Sequence, residues 1–332
     1  MKEIVDNLEE YLSMSKQENL EFLDQLYHLM NQINADAVDY QGLKIHHAPP
    51  LCPDCQSNRI VKNGFQGGQQ MYICRKCGRH FRVTTGTFVY RIQKKEKMLD
   101  YIRCMLEGKT LRACAKEVGI SLPTSFAWRH RILAALRNFE ANVNFFGIVE
   151  VEELLMNYSE KGRRYRNEEE LAEAREKKKK KVAVIASKDR TGNMLFKQLG
   201  LGKIKREQIE QLLNTKVSAN SVICFGHNDE FRKLKSQNLE RKEIVIDRVR
   251  KRGVYSVATI RRHVNTFVGW INNQFRGVAT KYLQSYIMWY VVMHKYLLNN
   301  VVPDVGRMLN LASSDRRAWY VYRDLRASPV YI

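Results

Sequence analysis

No stretch of this 332-residue sequence is apolar for long enough to read as a membrane span. The most apolar late segment, 282–298, is interrupted by Gln284, Ser285, His294 and Lys295, so it reads as a buried helix. No secretory leader is visible, because Met1 opens into an acidic amphipathic stretch. Acidic residues are scarce beside basic ones: 35 Asp and Glu against 56 Lys and Arg leave a net charge of +21. Residues 1–50 lack arginine altogether and hold three lysines against nine acids, so the remaining chain carries +27. A field of that size works against a basic partner and favours polyanions, nucleic acid first and acidic membrane second. A merely soluble basic surface accounts for the charge alone.

What the chain does have is a pair of Cys-x2-Cys motifs. Cys52 and Cys55 are followed, after eighteen residues, by Cys74 and Cys77. A two-residue gap lets one tight turn aim both thiolates at one ion, and two such knuckles complete a tetrahedral Zn2+ site. Turns at 63–64 and 67–68 and short strands at 70–73 and 80–83 fill out a zinc ribbon. So small a module has little apolar core, so a structural Zn2+ supplies most of its folding free energy, on the order of 10 kcal/mol. Cys104, Cys114 and Cys224 stand alone at apolar positions and read as inert core residues, which fits a reducing cytoplasm. His46 and His47 fall in a linker, since four cysteines already saturate the metal.

The rest of the chain divides by pattern. Residues 1–45 repeat apolar positions at helical spacing, with Ser15 and Glu18 placed as a capping box; their acidic faces suit a basic neighbour or a second subunit. The ribbon occupies 51–90. Residues 94–140 read as three helices, 98–106, 111–118 and 122–136, with Gly119-Ile120-Ser121 as the turn of a helix-turn-helix. That places Thr124, Ser125, Arg129, His130 and Arg131 on a helix able to enter a major groove, and segment 51–140 carries seventeen bases against six acids. From 145 to 300 the character changes. Strands at 146–155, 181–186 and 193–199, a helix at 204–213, a strand at 221–225, a helix at 229–234, a strand at 243–246 and two helices at 257–275 and 280–298 follow in the order of an RNase H-like core. Residues 301–332 read as a tail. The expected fold is therefore α+β and multidomain.

The segments LCPDCQS, YICRKCGRHFRVTTGT, GIVEVEELLMNYSEKG, SKDRTGN and GWINNQFRGVATKYLQSYIMW, in this order, resemble the zinc-ribbon insertion-sequence transposases of bacteria with an ISXO-type, DDE-like transposase domain. The resemblance runs from about residue 50 to 298. It implies two strand-borne acids holding two divalent metals for phosphoryl transfer on DNA. The first implied position is Glu152, where the family has Asp; the second is Phe225; Thr259 and Val268 stand where the family has Asn and Lys, with His263 and Asn265 as displaced neighbours. A phenyl ring cannot ligate Mg2+.

Two functions follow. One is a DNA-binding protein of transposase descent whose strand-transfer site is lost. The alternative is an active transposase with Mg2+ held by an unusual acid set, Glu152 or Glu153 with Glu150 and Asp229. A zinc-ribbon RNA-binding module also fits the charge, although helix-turn-helix elements suit B-form DNA better. The partners expected are double-stranded DNA and, in a homo-oligomer, further copies of the chain, with no membrane and a bacterial cytoplasmic, nucleoid-associated location.

Overall fold

The computed structural model describes residues 51–67, 69–140, 143–226, 229–232, 234, 243–246, 254–297, 305–313 and 315–328. The acidic N-terminal helices expected over 1–45, and His46 and His47, lie outside the described residues. No described helix is long and apolar enough to cross a membrane.

A first sheet contains β1 (Ile60–Gln66), β2 (Gln69–Cys74) and β3 (His80–Arg82), antiparallel in that order. Its core is small: Cys52, Cys74 and Phe81, with Tyr72 stacked on Phe81 at 5.8 Å. Three helices follow, α1 (Met98–Leu106), α2 (Leu111–Val118) and α3 (Leu122–Leu136). Thr110 and Ser121 cap α2 and α3 by accepting the N–H of Ala113 and Thr124, and Gly119 closes α2 at φ +65°, where a side chain would be strained.

The second sheet is mixed and five-stranded. Its strands are β4 (Ile148–Asn157), β5 (Lys181–Asp189), β6 (Met194–Leu201), β7 (Val222–Phe225) and β8 (Glu243–Ile246), in the order β6-β5-β4-β7-β8. The first three are an antiparallel meander, while β7 and β8 run parallel to β4. This arrangement is compatible with an RNase H-like core. Helix α4 (Glu168–Lys178) lies between β4 and β5; α5 (Arg206–Lys216) precedes β7, and the single turn α6 (Asp229–Arg232) follows it. Alternation along β4 decides the two faces. Val149 and Val151 pack with Ile185, Ile209, Leu213 and Phe225 on one side. Leu154, with Val184 and Phe196, faces α7 (Ala258–Phe275) and α8 (Thr280–Val292) on the other.

The segment expected as a tail is instead two helices, α9 (Val305–Ser313) and α10 (Ala318–Ala327), which pack on α1 and α3. Helix α10 also reaches the ribbon side of the molecule. Trp319 donates its backbone N–H to Gly86 at 2.9 Å, Arg316 donates to the Leu51 carbonyl at 3.3 Å, and Tyr320 donates to Asp54 at 3.4 Å. Gly86 has φ +84°, and a Cβ there would strike the Arg316 backbone. These contacts join residues more than 200 positions apart, which no local pattern announces.

Candidate metal centre and the acidic face of the sheet

The two cysteine knuckles are built alike. In each, the residue after the second cysteine is left-handed, Gln56 at φ 57° and Gly78 at φ 72°, and its N–H donates back to the first cysteine carbonyl, at 3.0 and 2.9 Å. The N–H of the first cysteine in turn donates five residues ahead, Cys52 to Ser57 and Cys74 to Arg79. The four Sγ atoms lie within 4.8 Å of one another, with Cys52–Cys77 at 3.5 Å and Cys55–Cys74 at 3.6 Å. A tetrahedron with Zn–S of about 2.3 Å has edges of about 3.8 Å. The cluster therefore fits a metal ion such as zinc, and its cysteines are free thiols.

The acids of β4 are arranged differently from a two-metal centre. Glu150 is 1 % exposed. Its Oε2 accepts the backbone N–H groups of Thr259 and Ile260, both at 2.9 Å, so it caps the N-terminus of α7 from another element. Arg190 Nη2 lies 2.8 Å from Oε1, near enough to pair with it but too poorly aligned to hydrogen-bond, so Oε1 has a counter-charge and no proton donor. Glu152 Oε2 receives Arg261 through Nε at 3.2 Å and Nη2 at 2.9 Å. Glu153 points to the opposite face, where Ile204 donates its N–H to it at 3.5 Å.

Phe225 is not the neighbour of Glu152. It pairs with Val151 in the parallel register, is fully buried on the other face, and stacks on Phe231 at 4.7 Å. The residue beside Glu152 is Gly226, whose N–H donates to Val151 and whose absent Cβ would sit 2.6 Å from the Glu152 carboxyl carbon. Phe225, the position expected for the second acid, therefore faces away from Glu152, and Gly226 stands beside Glu152. Thr259 serves Glu150 through its backbone, and Val268 packs partly buried against the core. The side chain of Asp229 lies outside the described residues. Among the described residues, the four cysteines are the one group of three or more possible metal ligands brought together.

His263 and Lys188 complete this face. Lys188 Nζ is 2.8 Å from His263 Nε2, and Tyr290 donates to the His263 carbonyl at 3.0 Å. Burial, reinforced by Lys188, His294 and Arg262, pushes the imidazole down to about 4, so it is neutral at pH 7. Burial also lowers Lys188, against the pull of Glu150 and Asp189.

The groove-reading assignment of α3 needs correction as well. Ser125 and Arg129 are fully buried and His130 is 5 % exposed. Ser125 donates to the Leu111 carbonyl at 2.8 Å, tying α3 to α2. Arg129 donates to the Lys109 carbonyl at 2.6 Å and lies over the rings of Phe275 and Trp289. Arg131 donates to the Tyr90 carbonyl at 2.9 Å beneath Trp319, 4.1 Å from that ring. Thr124, in the first turn, and Arg131 are partly open. Helices α8 and α10 pack against α3.

No family model matches the sequence, and no curated protein matches it. Among solved structures, the chain is similar to the one described as the crystal structure of a pre-cleavage Mos1 transpososome, at 10% identity over 62% of this chain and 76% of that one. The TM-score of 0.21 is too low to bear on either fold or function.

Proposed function

We propose that this protein binds duplex DNA through a zinc ribbon and a basic helical region on a transposase-like scaffold, and that it has lost metal-dependent strand transfer. The observation that carries this reading is the fate of the β4 acids. Glu150 is committed to capping α7, Glu152 to Arg261, and the position facing Glu152 is Gly226. A net charge of +21 with a four-cysteine cluster supports retained nucleic-acid binding. Arg75 and Lys76 in the second knuckle and Lys116 on α2 are exposed cations that suit phosphates, whereas Arg129 of α3 is buried and Arg131 is engaged by the Tyr90 carbonyl. Fluorescence anisotropy with a labelled duplex tests the binding, and gel assays of the same duplex with Mg2+ or Mn2+ test the chemistry. Salt-sensitive binding without cleavage is the expected result; metal-dependent nicking or joining overturns it.

A further inference from the structure

Away from the β4 acids, a cleft of about 840 Å3 opens between α3, the β4–α4 loop, the turn joining α7 to α8, and the end of α10. That size suits one small organic ligand. The turn is Arg276-Gly277, left-handed at φ 49° and 76°, and Lys161 holds it by donating to the carbonyls of Phe275, Arg276 and Gly277 at 2.8, 3.2 and 2.9 Å.

The walls are sharply uneven in charge. Glu160 is the one carboxylate among the lining residues, and it is already engaged by Tyr158 and Arg163. Arg112, Arg276, Lys281 and Arg326 also line the cleft, and among the described residues none of them has a carboxylate partner. Lys281 donates to the Ser328 carbonyl at 3.3 Å and lies 5.1 Å from the Tyr282 ring centroid, and Arg326 makes a 3.4 Å contact with the Tyr322 hydroxyl. Burial, with Arg326 as a second cause, holds the Lys281 amine below its ordinary value.

One wall is aromatic. The ring of His130 sits between Phe126 at 4.2 Å and Tyr282 at 4.0 Å. His130 is 5 % exposed, and its Nδ1 has no hydrogen-bond partner. Burial, with Arg129 and Lys281 adding to it, pushes this imidazole down to about 3. His130 is thus an uncharged, enclosed part of an aromatic wall that also includes Phe126 and Tyr282. Cations beside stacked rings are the chemistry that holds a single nucleotide.

We propose that this cleft binds one nucleotide unit, its phosphate against Arg276, Lys281 and Arg326 and its base along Phe126, His130 and Tyr282. The unit comes either from DNA, as a nucleotide turned out of the duplex, or from free nucleotide in solution. The first source rests on the DNA-binding reading above; the second does not.

Calorimetric titration of the full-length, zinc-loaded protein with dAMP, deoxyadenosine and inorganic phosphate tests the cleft directly. Binding of dAMP is expected to be about tenfold or more tighter than either fragment, since each charge-assisted bond or stacked ring contributes on this scale. Arg276→Ala combined with Lys281→Gln is expected to weaken dAMP by about tenfold or more while leaving the melting temperature in place. A duplex carrying 2-aminopurine separates the sources: a rise in its fluorescence on binding, lost in the double variant, assigns the unit to DNA. If dAMP binds and no duplex does, the cleft takes free nucleotide and the DNA-binding reading fails alone. If duplex binds, dAMP does not, and 2-aminopurine stays dark, the cleft proposal is overturned and the DNA-binding reading stands. Phosphate binding as tightly as dAMP also overturns it.

Discussion

Glu150 Oε2 accepts the backbone N–H of Thr259 at 2.9 Å, across 109 residues of sequence. Sequence motifs alone lead to the expectation of catalytic chemistry at Thr259 and on the strand that bears Glu150. In this protein that contact is a helix cap, with the carboxylate held by the positive end of α7 and by Arg190.

If Glu150 is structural, removing it must cost stability. Glu150→Ala leaves two buried N–H groups without an acceptor and is expected to lower the unfolding free energy by about 3 kcal/mol or more, read by denaturant melts. Glu150→Gln retains an acceptor and should cost less. A metal ligand would behave oppositely, because deleting one of several clustered carboxylates relieves repulsion; an unchanged or raised midpoint in Glu150→Ala therefore rejects the cap.

Restoration of a metal site is expected at 226, not 225. Gly226→Asp places a carboxylate beside Glu152, whose flexible side chain is the only group it meets first, and Arg261→Ala releases Glu152 to turn toward it. The double variant should bind Mn2+ in calorimetric titration where the parent shows no core site. Phe225→Asp should bind none and should destabilise, since it buries a charge on the opposite face against Phe231. Cleavage of DNA by the parent, abolished by Asp229→Asn, would show that the strand-transfer site survives.

The cysteine cluster is expected to carry one Zn2+ per chain, measured by elemental analysis of protein purified without added metal. Thiolate ligands favour zinc and release protons on binding it, so chelation should be slow near neutral pH and faster in acid. Cys74→Ser should drop the zinc content and unfold the ribbon. Two metals per chain from these four cysteines, or none, contradicts the tetrahedral reading.

DNA affinity should respond to surface cations and not to the arginines of α3. The triple variant Arg75→Ala, Lys76→Ala, Lys116→Ala is expected to flatten the slope of log affinity against log salt by about 2 to 3, with an unchanged melting temperature. Arg129→Ala should instead lower the melting temperature, because it removes a buried bond to Lys109 and the packing over Phe275 and Trp289. A weakened, fully folded Arg129→Ala protein would return α3 to the role of reader.

Stability should fall in mild acid. His130 takes up a proton readily when unfolded but only near pH 3 when folded, so the unfolded chain binds more protons between about pH 6.5 and 3. Stability is present above that window and is lost as pH falls through it, by about 2 kcal/mol at pH 5 from this one group. His130→Gln should flatten the pH dependence of the melting temperature between pH 7 and 5. An identical pH profile in the variant places the acid sensitivity elsewhere, His263 being the next candidate.

Much of this architecture is legible along the chain. The spacing of Cys52, Cys55, Cys74 and Cys77 determines the cluster because two residues between ligands make a knuckle whatever surrounds it, and both knuckles repeat the same bonds. Thr110, Gly119 and Ser121 place helix ends by chemistry within a few residues. Alternating apolar residues locate the five strands in their order. The acids and arginines were settled differently. Whether Glu152 meets Phe225 or Gly226 depends on a parallel register with no turn to announce it, and a shift of one residue changes the face. Whether Arg129 reads DNA or packs in a core depends on Phe275 and Trp289, which arrive about 150 residues later. Local spacing carries turns, caps and ligand pairs; burial and charge pairing come from elements distant in sequence, and only the tertiary structure brings those together.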